Sequence, residues 1–122
     1  MAYEPDKLEE IVIRVNNGEN WQLYAQQLLD DVRRDPECLA LIVGSVKPEF
    51  KDQKIYAIFQ SLFSYLGNKY TLTPFKFFPP LFLEKPWFPG DIENLKAMSI
   101  KESPKEFRRN NIFVLKNFLE RV

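Results

Sequence analysis

The part of this sequence best suited to molecular recognition is a stretch rich in aromatic residues and proline, residues 69–90, which we call the aromatic segment. Five of the nine prolines of the chain lie between Pro74 and Pro89. Aromatic side chains offer a large contact area at a small entropic cost, and prolines hold the backbone that carries them. We therefore expect this segment to bind a partner. The candidate binding residues are Phe75, Phe77, Phe78, Phe82, Trp87 and Phe88.

The same six side chains could instead complete the hydrophobic core. Transfer of one phenylalanine side chain out of water contributes roughly 1.5–3 kcal/mol, so a domain of this size gains stability by burying them. Six large aromatic residues within fourteen positions of irregular chain are nevertheless difficult to bury together, and exposed apolar patches tend to be interaction sites. Both interpretations remain open for each of the six residues at this stage.

A second candidate site consists of four basic residues near the C-terminus. If the helix is continuous, Lys101, Lys105 and Arg108 or Arg109 share one face, where they could contact phosphates. The net charge of residues 100–122 is only +3, however, and strong electrostatic binders make about six to ten phosphate contacts. Nucleic-acid binding is therefore the alternative function, and a solvated helix face is the common outcome for such a surface.

Overall charge favours neither function, because 17 basic and 17 acidic residues cancel. The charges are unevenly distributed: residues 1–49 carry a net charge of −5 and residues 50–122 a net charge of +5. Two oppositely charged halves are expected to attract each other, either within one domain or between subunits.

Enzymatic chemistry has little support in the residue types. The chain has no histidine and a single cysteine, which excludes histidine-dependent catalytic triads and the common zinc sites. Cys38 adjoins an apolar run, so a buried, inert thiol is expected. The pairs Asp30 with Asp31 and Asp91 with Glu93 could bind magnesium, but such pairs are frequent by chance. We expect no catalytic residue, no metal and no cofactor.

The sequence also favours a cytoplasmic location. Residues 1–6 contain no basic region followed by an apolar stretch, as a signal peptide would. The longest uninterrupted apolar run, Cys38–Val43, is far shorter than a membrane span. We therefore expect no association with a membrane.

Four helices are predicted before the aromatic segment. The first has a helical apolar repeat from Leu8 to Val15, with Asp6 as its cap and residues 16–18 as its end; the second covers residues 20–34. Residues 38–43 are apolar on every side and fit a helix or a buried strand. We favour a helix that continues to Val46, because Asp35 and Pro36 are a typical helix start. The fourth helix covers residues 51–66 and ends at Gly67 and Asn68.

Two further helices are predicted after the aromatic segment, forming a hairpin. The first begins at Asp91, and residues 103–106 form a capping box that starts the second. Asn110 and Asn111 interrupt the apolar pattern of the last helix. The residues expected to be buried are Ile92, Leu95, Met98 and Ser99 in one helix and Phe107, Val114 or Leu115, Phe118, Leu119 and Val122 in the other.

The resulting prediction is one mainly α domain covering residues 1–122. It has five to six helices and a long extended aromatic segment, with residues 70–73 compatible with a short edge strand or part of a hairpin. The expected function is that of a small cytosolic interaction or regulatory module that binds a protein partner, or a second copy of itself, through the aromatic segment.

Overall fold

The computed structural model describes residues 7–44, 47–70, 78–89 and 96–115. These residues form a mainly α structure, as predicted, and none of the helices in these ranges is long and apolar enough to cross a membrane. The helices are α1 (Leu8–Asn16), α2 (Trp21–Arg34), α3 (Cys38–Val43), α4 (Gln53–Lys69), α5 (Lys96–Glu102) and α6 (Lys105–Arg108).

The two N-terminal helices follow their apolar repeats. The four residues of the predicted apolar repeat of α1 are all buried: Leu8, Ile11, Val12 and Val15. Lys7 precedes the helix without a side-chain cap, and the predicted cap Asp6 lies outside the described residues. Asn20 caps α2, its Oδ1 accepting a hydrogen bond from the Gln22 N–H at 2.9 Å.

Residues 38–43 are helical, which decides between the two predicted alternatives. The Asp35 carboxylate accepts from the Glu37 N–H at 3.3 Å in the turn that leads into α3. Gly44 follows the helix with φ +68°, a left-handed conformation that glycine adopts without strain. Val46, the predicted last apolar residue of this helix, lies outside the described residues.

Helix α4 is the central element, since it contacts α2, α3 and α6. Asp52 caps its start by accepting from the Lys54 N–H at 2.8 Å. The predicted end at Gly67 and Asn68 is wrong, because the helix continues to Lys69. Asn68 Nδ2 donates to the Glu106 carboxylate at 2.6 Å, and this contact with α6 stabilises the last turn.

The predicted helical hairpin after the aromatic segment is wrong. Helix α6 ends at Arg108 after one turn, Asn111 has φ +63°, and residues 109–115 contain no helix. Phe107 and Val114 are buried as expected and Leu115 is partly buried, but both Val114 and Leu115 lie beyond the helix. Residues 91–95 and 116–122, and with them the remaining predicted core positions, lie outside the described ranges.

Ser103 does not form the predicted capping box. Its hydroxyl donates to the carbonyl oxygens of Ser99 and Val114 and accepts from the Val114 N–H, at 2.7–3.0 Å. Ser99 is the buried residue of α5, and Ser103, which follows the helix, is buried as well. Met98, which lies about 100° around the helix from Ser99, is half exposed, contrary to the prediction that it faces the core.

The described part of the aromatic segment, residues 78–89, contains no helix, as predicted, and is irregular, with bends at residues 78, 84 and 85 and a turn at residue 89. It runs against α4 and against residues 110–113. Its β pairing is one isolated parallel bridge between Trp87 and Ile112, the single bridge among the described residues. The proposed edge strand at residues 70–73 cannot be compared beyond Tyr70, which follows α4 as its C-cap, because residues 71–73 lie outside the described ranges.

Candidate protein-interaction surface

The aromatic segment is held in place by the side chain of Asn110, which is completely buried. Asn110 Nδ2 donates to Gln60 Oε1 at 2.6 Å and Ser61 Oγ at 2.8 Å, both on α4. Its Oδ1 accepts from the Leu81 N–H at 3.1 Å, and its carbonyl oxygen accepts from the Leu83 N–H at 3.1 Å. One asparagine therefore joins the aromatic segment to α4 through bonds on both of its polar ends.

Asn111 continues this attachment along the segment. Its Nδ2 donates to the Leu83 carbonyl oxygen at 2.9 Å, and its own carbonyl oxygen accepts from the Trp87 N–H at 3.0 Å. The Trp87 carbonyl oxygen in turn accepts from the Phe113 N–H at 3.0 Å. The backbone of the segment is thus fixed at Leu81, Leu83 and Trp87 by residues that follow α6.

Helix α4 binds the beginning of the described segment directly. The Tyr56 hydroxyl donates to the Pro79 carbonyl oxygen at 2.7 Å, and Gln60 Nε2 donates to the Phe78 carbonyl oxygen at 3.2 Å. Burial raises the pKa of the Tyr56 phenol above its usual value. The phenol therefore remains a hydrogen-bond donor throughout the neutral pH range.

The six predicted binding residues have different environments. Phe82 is 66% exposed and lies between the two anchored residues Leu81 and Leu83. Phe78 is only 2% exposed, and its ring packs against Tyr56 at 5.1 Å between centroids. Phe78 is therefore a core residue whose ring is almost completely covered by this chain. Phe75 and Phe77 lie outside the described residues.

Trp87 and Phe88 are intermediate between these extremes. Trp87 is partly buried against Trp21, with 5.6 Å between ring centroids, and Lys54 Nζ lies 5.9 Å from its ring centroid. Phe88 is stacked on Phe113 at 5.3 Å. Each ring has one side packed against the protein, and each keeps part of its surface exposed.

A cavity of about 600 Å³ lies beside Leu83, between the start of α4 and the segment. Its lining includes three lysines and two acidic residues, so the local charge is slightly positive. The buried Leu83 side chain provides an apolar contribution among these charges. The charged lining residues are Lys51, Lys54, Lys85, Asp52 and Glu84.

The four basic residues of the alternative, nucleic-acid-binding site are all exposed, but they do not lie on one continuous helix. Lys101 belongs to α5, Lys105 and Arg108 belong to α6, and Arg109 follows α6. Arg109 Nη2 donates to Ser64 Oγ of α4 at 3.2 Å. Glu106, which interrupts the basic residues in the sequence, is buried and accepts a hydrogen bond from Asn68 of α4, so its side chain is not part of the exposed surface.

The aspartate pair and the cysteine lie on α2 and at the start of α3. Asp30 is exposed, whereas Asp31 is buried with its Oδ1 3.6 Å from the Arg34 guanidinium. Burial raises the pKa of the Cys38 thiol, which donates to the Asp31 carbonyl oxygen. Within the described ranges, no three acidic, cysteine or histidine residues come together to hold a metal ion. Asp91 and Glu93 lie outside those ranges.

The residues that position the candidate surface were missed among the sequence-predicted sites. Gln60 and Tyr56 lie within a regular helix and carry no signal of this role. Asn110 and Asn111 did carry one, because two adjacent asparagines interrupt an otherwise apolar pattern. Asparagine tolerates the left-handed conformation and readily bonds backbone groups, which is what this turn requires.

Comparison with known proteins assigns no function to this chain. No protein-family model, curated protein or solved structure matches it.

Proposed function

We propose that this protein is an interaction module that binds a protein partner through the surface around Phe82, Trp87 and Phe88. The observation that supports this most directly is the contrast at Phe82. Its side chain is 66% exposed, whereas the residues on both sides are held by Asn110 through the bonds to the Leu81 and Leu83 N–H groups.

This arrangement favours binding because the entropy of ordering the backbone is lost on folding and not on association. A side chain on a flexible loop must be ordered when a partner binds, which reduces the affinity. Phe82 is presented on a backbone that is already fixed. Full burial of such a side chain contributes roughly 1.5–3 kcal/mol, enough for it to act as an anchor in an apolar pocket of the partner.

Trp87 and Phe88, which are partly buried, extend this surface. Their rings are already packed against Trp21 and Phe113, so they lose little further entropy when a partner binds. The neighbouring cavity carries three lysines against two acidic residues. A partner with carboxylates beside its apolar pocket would complement it, and such charges mainly affect orientation and association rate. The proposal assigns no catalytic role to any residue.

Site-specific photocrosslinking tests this proposal. A photoreactive phenylalanine analogue is placed at position 82 and, as a control, at position 23 in α2. Leu23 is 63% exposed and is two residues, or about 200°, away from Trp21 around the helix. On illumination, we expect the variant with the analogue at position 82 to form a discrete covalent adduct with a partner protein, and the variant with the analogue at position 23 not to form it. The same adducts at both positions, or none at position 82, would contradict the proposal.

The cytoplasmic location is part of this proposal. The single cysteine is a free, buried thiol, which fits a reducing compartment. Fractionation of source cells checks it: the protein should be recovered with cytoplasmic markers, and recovery with secreted or membrane fractions would contradict it.

Nucleic-acid binding is the second candidate function, and the buried Glu106 is the observation that favours it. With this carboxylate turned toward Asn68, the exposed side of α6 presents Lys105 and Arg108, and the exposed Arg109 follows the helix. Binding of a fluorescent oligonucleotide, single-stranded or duplex, should then weaken steeply with rising salt. It should also be lost in Lys105→Ala/Arg108→Ala and kept in the control Lys51→Ala/Lys85→Ala. Equal binding by both double variants would exclude this site.

A further inference from the structure

A second apolar surface lies on the N-terminal side of the molecule, between α1, α3 and residues 47–49. It is a groove of about 530 Å³ whose lining is mainly apolar. Two exposed side chains stand at the groove: Ile13 of α1, 57% exposed, and Leu41 of α3, 72% exposed. The buried apolar side chains of the lining are Leu8, Val12, Ile42, Val43 and Pro48.

We infer that this groove is a self-association site in which Leu41 of each copy enters the groove of the other. Leu41 is the most exposed large apolar side chain among the described residues, and it belongs to the lining of the groove itself. A projecting apolar side chain beside an apolar groove is complementary to a second copy of the same surface. A two-fold axis forms both contacts at once and closes the assembly as a dimer.

The charges around the groove favour a second copy as the occupant. Lys7 and Glu9, at the start of α1, form one charged side of the lining, and Lys47 and Glu49, which follow α3 in the sequence, form another. All four are exposed. Each side therefore carries one lysine and one glutamate, so a surface of the same composition can pair unlike charges across the axis. A strongly acidic or strongly basic partner would meet like charges on both sides.

The oligomeric state tests the role of Leu41. We expect wild type to associate to a dimer between micromolar and millimolar concentrations in sedimentation equilibrium. Leu41→Glu should be monomeric over the same range, because it would place a carboxylate in the apolar groove. Leu23→Glu, a matched change at another exposed leucine on α2, should remain dimeric. Circular dichroism confirms that both variants are folded.

Charge exchange tests the groove without depending on which residues form pairs. Lys7→Glu/Lys47→Glu makes all four charges acidic, and Glu9→Lys/Glu49→Lys makes all four basic. Each variant should be monomeric alone because like charges face each other. An equimolar mixture of the two should form a heterodimer at least tenfold more tightly than either variant associates alone.

Three results would overturn the inference: a wild-type protein that is monomeric throughout, a Leu41→Glu variant that still dimerises, or a mixture that does not associate. A dimer formed through the aromatic segment would give the second result and would be lost in Phe82→Ala. The inference is independent of the proposed function, since the groove and the surface around Phe82 involve different residues.

Discussion

Two regions of this molecule are held together by different interactions. Helices α1, α2 and α3 pack through aliphatic side chains, and residues such as Val32 and Leu39 are completely buried. The aromatic segment buries Phe78 and Leu83 in the core, and its backbone is also held by hydrogen bonds with the side chains of Asn110, Asn111, Gln60 and Tyr56. A segment with few regular backbone partners can therefore be fixed by a few buried polar side chains.

This difference has a consequence for function. Apolar packing tolerates changes of similar volume, whereas a buried polar network depends on every partner being present. A region built on such a network keeps its aromatic side chains free for other contacts, because they are not all required to hold the backbone. Phe82 is the clearest example of an aromatic side chain left free for other contacts, because it is exposed between two anchored neighbours.

The largest expected effect is in the helical region. Leu39→Ala removes a completely buried side chain of α3, and it should lower the free energy of unfolding by about 2–5 kcal/mol. Urea denaturation measures this loss. Leu39 makes none of the hydrogen bonds that hold the aromatic segment. The hydrogen exchange of the Leu81, Leu83 and Trp87 amides should therefore become faster only by the amount that the lower global stability explains.

Asn110→Ala should have the next largest effect, about 2–4 kcal/mol, because it leaves the buried Gln60 Oε1 and the partly buried Leu81 N–H without their partner. Hydrogen exchange distinguishes this from Leu39→Ala. We expect the Leu81 and Leu83 amides to lose protection well beyond the global change, while amides of α2 do not. Uniform loss of protection across both regions would contradict the distinction between them.

Replacement of Asn111 separates its backbone conformation from its side-chain bond. Glycine tolerates the positive φ of +63° but cannot form the side-chain hydrogen bond to the Leu83 carbonyl oxygen. Alanine cannot form this bond either, and it is strained at a positive φ. Asn111→Ala should therefore be less stable than Asn111→Gly by about 1–2 kcal/mol. Thermal or urea unfolding of the two variants measures the difference, and equal stabilities would show that the left-handed turn is not required.

The smallest expected effect is a pH dependence shared by the two regions. Burial raises the pKa of Tyr56, and the hydrogen bond to the Glu19 carboxylate, followed by burial, raises the pKa of Tyr24. A raised pKa in the folded state means that the unfolded state loses its proton first. The contribution of the two tyrosines to the free energy of unfolding is therefore fully present below about pH 10 and is lost as the pH rises further.

Urea denaturation at neutral pH and at about pH 11 measures this fall. It should be smaller in Tyr56→Phe and in Tyr24→Phe than in wild type. Tyr56→Phe should also cost about 0.5–1.5 kcal/mol at neutral pH, through loss of the bond to Pro79. A fall of unchanged size in both variants would exclude the tyrosines as its source.

The two regions also differ in how far the sequence predicts them. Apolar repeats correctly predicted α1, α2 and α4, and the aspartate and proline at positions 35 and 36 favoured the helix at α3 that the structure has. Periodicity reports a continuous buried stripe, and these helices are buried in that way. The absence of helix from residues 78–89 followed from proline density.

Prediction was least successful after α5, where long-range hydrogen bonds replace periodic packing. Asn110 is fifty residues from Gln60 in the sequence, and no local pattern specifies that pair. Ser103 has the spacing of a helix cap, yet its hydroxyl bonds residues 99 and 114. The exposure of Phe82 and the burial of Phe78 could not be predicted from the sequence either, because both depend on where α4 lies against the segment.

The most direct test of the account is the affinity of the protein captured at position 82. Isothermal titration calorimetry compares wild type with Phe82→Ala and with the control Leu23→Ala. We predict that Phe82→Ala weakens binding at least tenfold, or about 1.4 kcal/mol, with its fold unchanged, while Leu23→Ala binds as wild type does. Equal affinities for wild type and Phe82→Ala would contradict the claim that this exposed ring is the anchor of the interaction.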